Sequence, residues 1–317
     1  MTQSKKIVIT GAAGLVGQNL ISRLTAKGYT NLVAIDKHAS NLAILEQYHP
    51  MVRALRRDLA ERDSSGAARW QDELAGCDAL VIGHAQIGGI VPADFVRNNI
   101  EATERVLEAA VRYGVPYIVN ISSSVVNSMA IDDYTETKKA QEAMIISCGI
   151  EQVVLRPTLM FGWFDRKHIG WLARFMQHIP IFPIPGSGRF TRQPLFAGDF
   201  CEVIASSIER GTTGNYNITG QERIDYIDLI LAVKRAIGSK ARIQQIPYRL
   251  FWTMLRINAI FDKNPAFTVG QLKALVTPDV FEVIDWPGLF GVRATPLQEA
   301  LDTTFRDPIY SRVALDF

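Results

Sequence analysis

A short apolar strand at residues 6–10 runs into Thr10-Gly11-Ala12-Ala13-Gly14-Leu15-Val16-Gly17 and from there into a helical pattern over residues 15–27. No other stretch constrains the fold as strongly. Three glycines on a strand-to-helix turn let the backbone approach a diphosphate, while the free N–H groups and positive dipole end of the helix face it. The same glycines can also serve only to pack a helix closely on a strand. A second mark is a carboxylate at the end of the next strand, and Asp36 stands there, 19 residues beyond Gly17. Such a carboxylate accepts hydrogen bonds from an adenosine ribose, which points to NAD. Lys37 and His38 directly behind it keep NADP open, and a plain helix cap is the structural alternative for Asp36.

Further apolar runs at residues 32–36, 52–57, 79–83, 117–122 and 152–156 alternate with helical patterns at 42–48, 92–113 and 134–148. Alternation of this kind predicts an α/β chain with a parallel sheet built by right-handed crossovers. The expected architecture is a Rossmann-type doubly wound parallel sheet with a smaller mixed, mainly helical C-terminal substrate-binding portion. Residues 1–157 are expected to form the dinucleotide-binding domain, and residues 158–317 mainly the substrate portion, with 190–220 returning to the first domain. Beyond Arg156-Pro157, Pro180, Pro183, Pro185, Gly186 and Gly188 mark loops between short elements. Helices are predicted at 199–210, 226–237, 248–257, 265–276 and 296–304, with a strand at 216–219.

Composition narrows the partners. Lys plus Arg number 34 against 32 Asp plus Glu, and no basic run is present, so nucleic acid is not expected. Cys77, Cys148 and Cys201 are far apart and read as free thiols of a reducing compartment. The five histidines lack the paired spacing of a metal site, so no metal is expected. Residues 1–6 have no room for a signal peptide's apolar region, and residues 246–261 are too short to span a bilayer and are interrupted by Arg249 and Arg256. The expectation is a cytoplasmic protein without a transmembrane segment, in which 246–261 is a buried or surface-docking helix.

Ser122-Ser123-Ser124 end the fifth strand, and Tyr134-Thr135-Glu136-Thr137-Lys138 open the next helix. Residues four apart share a helix face, so the Lys138 ammonium can lie near the Tyr134 phenol. Positive charge favours phenolate, letting a group that normally titrates near about 10 act as a base around neutrality. A hydroxyl on a rigid strand end can stabilise charge on a reacting oxygen. Ser123 is the first candidate and Ser124 the second; alternatively all three serines satisfy backbone groups at the strand terminus.

Together these residues resemble the extended short-chain dehydrogenases/reductases, and within them the nucleotide-sugar epimerases, dehydratases and reductases. The resemblance rests on the glycine turn, the serine-tipped strand, Tyr134 with Lys138 and Glu142, and Asn99-Ile100-Glu101-Ala102-Thr103 with Leu107-Glu108-Ala109-Ala110 as the family's long helix. It implies a catalytic set of Ser123, Tyr134 and Lys138. It implies a NAD site at Gly11, Ala13, Gly14, Leu15, Val16, Gly17, Asp36, Lys37, Asp58, Leu59, His84, Ala85, Asn99, Tyr134, Lys138 and Pro157. Ser123, Ser124 and Arg192 would bind substrate, the planar guanidinium gripping a diphosphate. Asp199 reads as the cap of the helix that follows.

The implied activity is hydride transfer on a nucleotide-activated sugar with Tyr134 as general acid/base, either a 4-epimerase with retained NAD or a 4-keto-sugar reductase. Dehydratases of the family place Asp-Glu where Ser124 and Val125 stand here, so dehydration is the least expected reaction. Thr158 replaces a common Asn, and only 11 residues separate Ser123 from Tyr134, so the sugar contacts do not carry over whole. A sterol-like alcohol is the apolar alternative, suggested by Phe161, Trp163, Phe164, Trp171, Phe175 and Phe182, although such a stripe also suits a core. A dinucleotide-sensing protein on the same fold is the non-enzymatic one. The helices at 92–113 and 134–148 resemble those through which family members form homodimers.

Overall fold

The computed structural model describes residues 2–61, 69–129, 131–261, 268–277 and 281–316. Seven strands make one sheet: β1 (Ile7–Thr10), β2 (Leu32–Asp36), β3 (Arg53–Arg56), β4 (Ala79–Ile82), β5 (Tyr117–Ile121), β6 (Glu151–Pro157) and β7 (Gly214–Ile218). Their order is β7-β6-β5-β4-β1-β2-β3, every pair parallel. β1, β4 and most of β2 and β5 are buried throughout, because helices cover both faces of a parallel sheet. Successive side chains still part to opposite faces. Ile7 and Ile9 join the core shared with Leu20, Val119 and Phe200, whereas Val8 joins Ile35, Leu80, Val106 and Ile145 on the other side.

Helices α1 (Leu15–Ala26) and α2 (Ala39–Tyr48) connect β1 to β2 and β2 to β3. The chain then crosses to β4, on the far side of β1, so the order in which strands are added reverses between β1 and β4 while all stay parallel. A crevice opens at such a switch, outside the carboxyl ends of the strands. Helix α3 (residues 92–112) is continuous but carries a π-helical turn at Val96–Glu101, and α4 (Asp133–Ser147) leads into β6.

Helix α5 (His168–His178) begins the second half. Residues 197–218 return to the sheet, α6 (Ala197–Arg210) packing on α1 and β7 pairing with β6. The remaining helices are α7 (Tyr226–Ile237), α8 (Tyr248–Phe261), α9 (Val269–Val276), α10 (Trp286–Phe290) and α11 (Leu297–Arg306). α5, α7 and α11 share a separate core through Ile169, Leu229, Val233 and Leu301. Residues 265–267 of the helix expected at 265–276 lie outside the described residues; the described helix starts at Val269.

Two expectations are corrected. The proline-marked stretch is not all loop, since Ile181–Pro185 pairs in parallel with Arg242–Ile246 in a two-stranded ribbon. Each strand there has a free edge, where a residue lacking an N–H is tolerated. Asp199 is not a helix cap: α6 begins at Ala197, and the Asp199 carboxylate accepts hydrogen bonds from the Thr295 amide (2.8 Å) and hydroxyl (2.6 Å), tying down the approach to α11. Half of the aromatic stripe is interior, with Phe161, Phe164 and Phe182 buried; Trp163, its ring 4.8 Å from that of Tyr310, and Trp171 are half-buried, and Phe175 is exposed. Among the described residues, no helix is long and apolar enough to cross a membrane.

Candidate active site

The three glycines of the first turn have different reasons. Gly11 has φ +65°, and a Cβ there would lie 2.5 Å from the Gly83 carbonyl at the end of β4, so the switch point closes only on glycine. A Cβ on Gly17 would lie 2.5 Å from the Ala12 backbone, the close helix-on-strand contact. Gly14 is not demanded by packing. An added Cβ meets only the Gly11 carbonyl, at 3.4 Å, at the mouth of α1 where Gly14 is the N-cap without a capping side chain. A ligand pressed against the helix N-terminus accounts for that glycine, and the turn therefore fits a dinucleotide diphosphate.

Asp36 reaches this turn from β2, accepting hydrogen bonds from the amides of Ala13 (3.0 Å) and His38 (2.9 Å). Lys37 donates to Asn98 Oδ1 at 2.8 Å. Asp58 pairs with Arg97 at 2.8 Å and accepts the Ala60 amide; burial raises its pKa, but the Arg97 hydrogen bond and charge outweigh that and hold the carboxyl below its ordinary value. The Leu59 side chain faces the core instead of the crevice, so only its backbone is available there. Leu15 and Val16 open α1, Ala85 lies half-buried after β4, and Pro157 ends β6.

Asp132 caps α4, its carboxylate accepting the Thr135 amide and hydroxyl, both at 2.9 Å. That fixes Tyr134 in the first helical turn. The Ser123 side chain approaches the Tyr134 phenol closely enough to favour its ionised form, and Ser123 also caps the short helical turn at Ser124–Asn127, accepting the Val125 amide at 3.4 Å. Ser123 rather than Ser122 therefore meets the tyrosine. Ser122 is committed elsewhere: its hydroxyl donates to Glu142 at 2.5 Å, and Glu142 in turn takes a two-pronged contact from Arg156. Ser124 is half-buried beside Ser123.

Lys138 departs from the expected arrangement. Its ammonium is fully buried and donates to the Ile121 carbonyl (3.1 Å) and to the Gln141 side-chain oxygen. Burial pushes its pKa down to about 8, with Glu142 pulling the other way. Tyr134 is not made more acidic in this state: burial and the Asp132 charge raise its pKa, against the opposing Ser123 hydrogen bond.

A polar chain continues from Gln141, which donates to Thr103 Oγ1 at 2.8 Å. Thr103 contacts His84 Nε2 at 3.0 Å, and His84 Nδ1 lies 2.9 Å from Thr10 Oγ1. Burial first, then the charges of Lys138 and Lys37, drive the His84 pKa to about 3, so the ring is neutral. Asn99, buried in the π-turn, receives the Gln86 amide at 2.6 Å and donates to Thr137 at 2.9 Å, holding the loop after β4 against α4. Gln141 and Thr103 were not picked out from the sequence. Gln141 carried a signal, three residues past Lys138 on one helix face; Thr103 carried none.

Arg192 lies apart from this group. It is buried, with the guanidinium donating to the carbonyls of Thr191 (3.0 Å) and Thr277 (2.8 Å) and lying 5.3 Å from the Phe190 ring. Among the described residues no group of three or more His, Cys, Asp or Glu is placed to hold a metal.

A switch-point glycine turn with a carboxylate behind it, and a Ser–Tyr–Lys group one strand away, define a dinucleotide-binding α/β protein of the short-chain dehydrogenase type. More narrowly, residues 7–219 match the model of the NAD dependent epimerase/dehydratase family, and the chain belongs to that family. NAD is the family's cofactor. Among relatives, the dTDP-glucose 4,6-dehydratase of Streptomyces niveus is 26% identical, over 85% of this chain and 91% of its own. The 4-hydroxy-2-methyl-3-oxo-4-farnesyl-3,4-dihydroquinoline-1-oxide ketoreductase of Stigmatella aurantiaca is 24% identical, over 76% of each. The UDP-glucuronic acid 4-epimerase of Bacillus cereus, solved with NAD, shares the fold with a TM-score of 0.68 at 21% identity, covering 94% of this chain and 96% of that one.

Proposed function

We propose that the chain moves a hydride to and from a hydroxyl-bearing carbon of a nucleotide-activated sugar, re-reducing what it oxidises and so acting as an epimerase. The observation that carries this reading is the approach of the Ser123 side chain, at the end of β5, to the Tyr134 phenol in the first turn of α4. Gly11, Gly14, Gly17 and Asp36 hold the diphosphate and adenosine ribose of NAD, which when bound supplies the acceptor and donor of the hydride. Tyr134 takes the proton of the substrate hydroxyl and returns it, while the Ser123 hydroxyl donates to the reacting oxygen and stabilises its charge. Positive charge brought by the bound cofactor works with the Ser123 contact against the burial that raises the phenol's pKa. Arg192 exchanges its carbonyl partners for the substrate's diphosphate.

Although a 4,6-dehydratase stands among the relatives, the side chains here do not supply dehydration: Asp132 is committed to Thr135, and Ser124 and Val125 offer no acid. A one-way reduction is the second reading, favoured by the ketoreductase among the relatives. Exposed Val96, Val111 and Ile146 on α3 and α4 support pairing of two copies through those helices. Sedimentation showing only monomer at micromolar concentration would refute it. The reaction is tested by denaturing the purified protein and identifying what it releases. Retained NAD together with interconversion of two nucleotide sugars supports the epimerase, whereas an empty protein that turns over only with added reduced cofactor supports the reductase. NAD retained without turnover of any nucleotide sugar or ketone overturns both.

A further inference from the structure

Helix α8 sets one row of apolar side chains in solvent. Leu250, Met254 and Ile257 recur at i, i+4 and i+7 and form one row along the helix, exposed by 53%, 52% and 52%. Arg249, Thr253 and Arg256 form the adjacent row, also exposed, with the Arg256 guanidinium 5.4 Å from the Trp252 ring. Phe251 and Leu255 are the partly covered positions, and the helix packs against α9.

Charge points the same way. Between Asp228 and Asp262 the chain carries Lys234, Arg235, Lys240, Arg242, Arg249 and Arg256 and neither Asp nor Glu, in a protein whose net charge is only +2. An exposed apolar row bordered by arginines and a tryptophan, without acids, has the chemistry of a helix lying in the headgroup layer of a bilayer. At 14 residues it is about 21 Å long, too short to cross.

We propose that α8 docks the protein peripherally on an anionic lipid bilayer, the Leu250–Met254–Ile257 row entering the acyl boundary and Arg249 and Arg256 meeting phosphates. A second copy is the poorer occupant, because two copies meeting symmetrically through this face would set arginine row against arginine row. The helical pair is rooted beside the candidate substrate site: the Thr277 carbonyl just past α9 accepts from Arg192, and the Phe281 amide donates to Gln193 at 3.0 Å. Gln193 in turn lies against Thr158, immediately after β6. Two loops that leave the same carboxyl edge of the sheet carry the nearly fully exposed Ile90, Met129 and Ile131.

The test is flotation of the full-length protein with vesicles of phosphatidylcholine, with and without phosphatidylglycerol. Binding is expected only with phosphatidylglycerol and should weaken as salt is raised. Replacing Leu250, Met254 and Ile257 together by Ser should weaken it roughly tenfold or more, with the melting temperature and NAD affinity unchanged. Arg249→Gln with Arg256→Gln should remove the preference for the anionic lipid. Protein that fails to float with phosphatidylglycerol vesicles, or a serine variant that floats like wild type, overturns the proposal. So does a serine variant that turns a dimer into a monomer while vesicle binding persists. Should the serine variant not fold, brominated lipid decides: Trp252 fluorescence, isolated by difference from Trp252→Phe, must be quenched in the wild type, and its persistence overturns the proposal.

Discussion

Replacing Glu142 by Gln should weaken the protein as a whole, and removing its bond to Ser122 altogether should misplace Ser123, the serine proposed to act on substrate. Glu142 is 6% exposed overall and serves two partners, the Ser122 hydroxyl and the Arg156 guanidinium. The amide keeps a bond to Ser122 but leaves a guanidinium with 19% side-chain exposure facing a neutral group. Removing one partner of a largely buried pair costs about 3 kcal/mol, the low end of the range because Arg156 retains some water. For a chain of 317 residues that corresponds to a fall in Tm of roughly 4–5 °C. Differential scanning fluorimetry with a urea titration measures it. The paired variant Glu142→Met with Arg156→Met should recover most of the stability, since an apolar pair of similar volume costs little. It should not recover turnover, because Ser122 then no longer fixes the strand end beside Ser123. A Glu142→Gln protein that melts with wild type, or a double variant no better than the worse single one, would refute this account of the pair.

Other substitutions separate packing from binding. Gly14→Ala should leave the melting temperature within about 1 °C but reduce NAD affinity at least tenfold by calorimetry, whereas Gly17→Ala should fail to fold or lose several kcal/mol despite the better helix propensity of alanine, because of the 2.5 Å approach to Ala12. Tyr134→Phe should keep NAD affinity and lose turnover by about a hundredfold or more; in ultraviolet difference titrations against this variant, Tyr134 should ionise above 10 without cofactor and at lower pH with NAD, and an unchanged titration would contradict its role. His84 has a folded pKa of about 3 against an ordinary 6.5, so the unfolded chain binds a proton that the folded one does not between those values. The stability contributed by the neutral ring is complete above pH 6.5 and is lost as pH falls towards 3. His84→Gln should therefore show a smaller drop in urea midpoint between pH 7 and pH 5 than wild type.

The sheet was largely legible because its determinants are local. The run at 32–36 matches β2 residue for residue, and the others differ by one or two at the ends, since continuous apolar runs bounded by turns leave little choice of element. What escaped were features that depend on a distant partner. Ile181–Pro185 is a strand only because Arg242–Ile246 lies beside it, and its prolines alone argue for a loop. The π-turn within α3 has no composition signal, although it buries Asn99 against Gln86 and Thr137. At the site, the Tyr134–Ser123 contact follows from strand-end and helix-start positions. The orientation of Lys138 does not: it is decided by the carbonyl of Ile121 and by Gln141, neither of which a spacing rule weighs.

The chain of contacts from Lys138 to Thr10 has a direction. Thr10 Oγ1 lies 3.2 Å from the Val81 carbonyl and 2.9 Å from His84 Nδ1, and Thr103 Oγ1 lies 2.8 Å from the Asn99 carbonyl and 3.0 Å from Nε2, so a neutral ring serves one threonine as donor and the other as acceptor. Thr103 in turn receives the Gln141 amide, and Gln141 receives the ammonium. The donors nearest the charge point away from Lys138, ammonium to Gln141 and Gln141 to Thr103, so that their dipoles share the buried positive charge. A second proton on His84 would put a second buried positive charge on the same chain of contacts, so the neutral imidazole is what leaves that chain free to share the charge of Lys138.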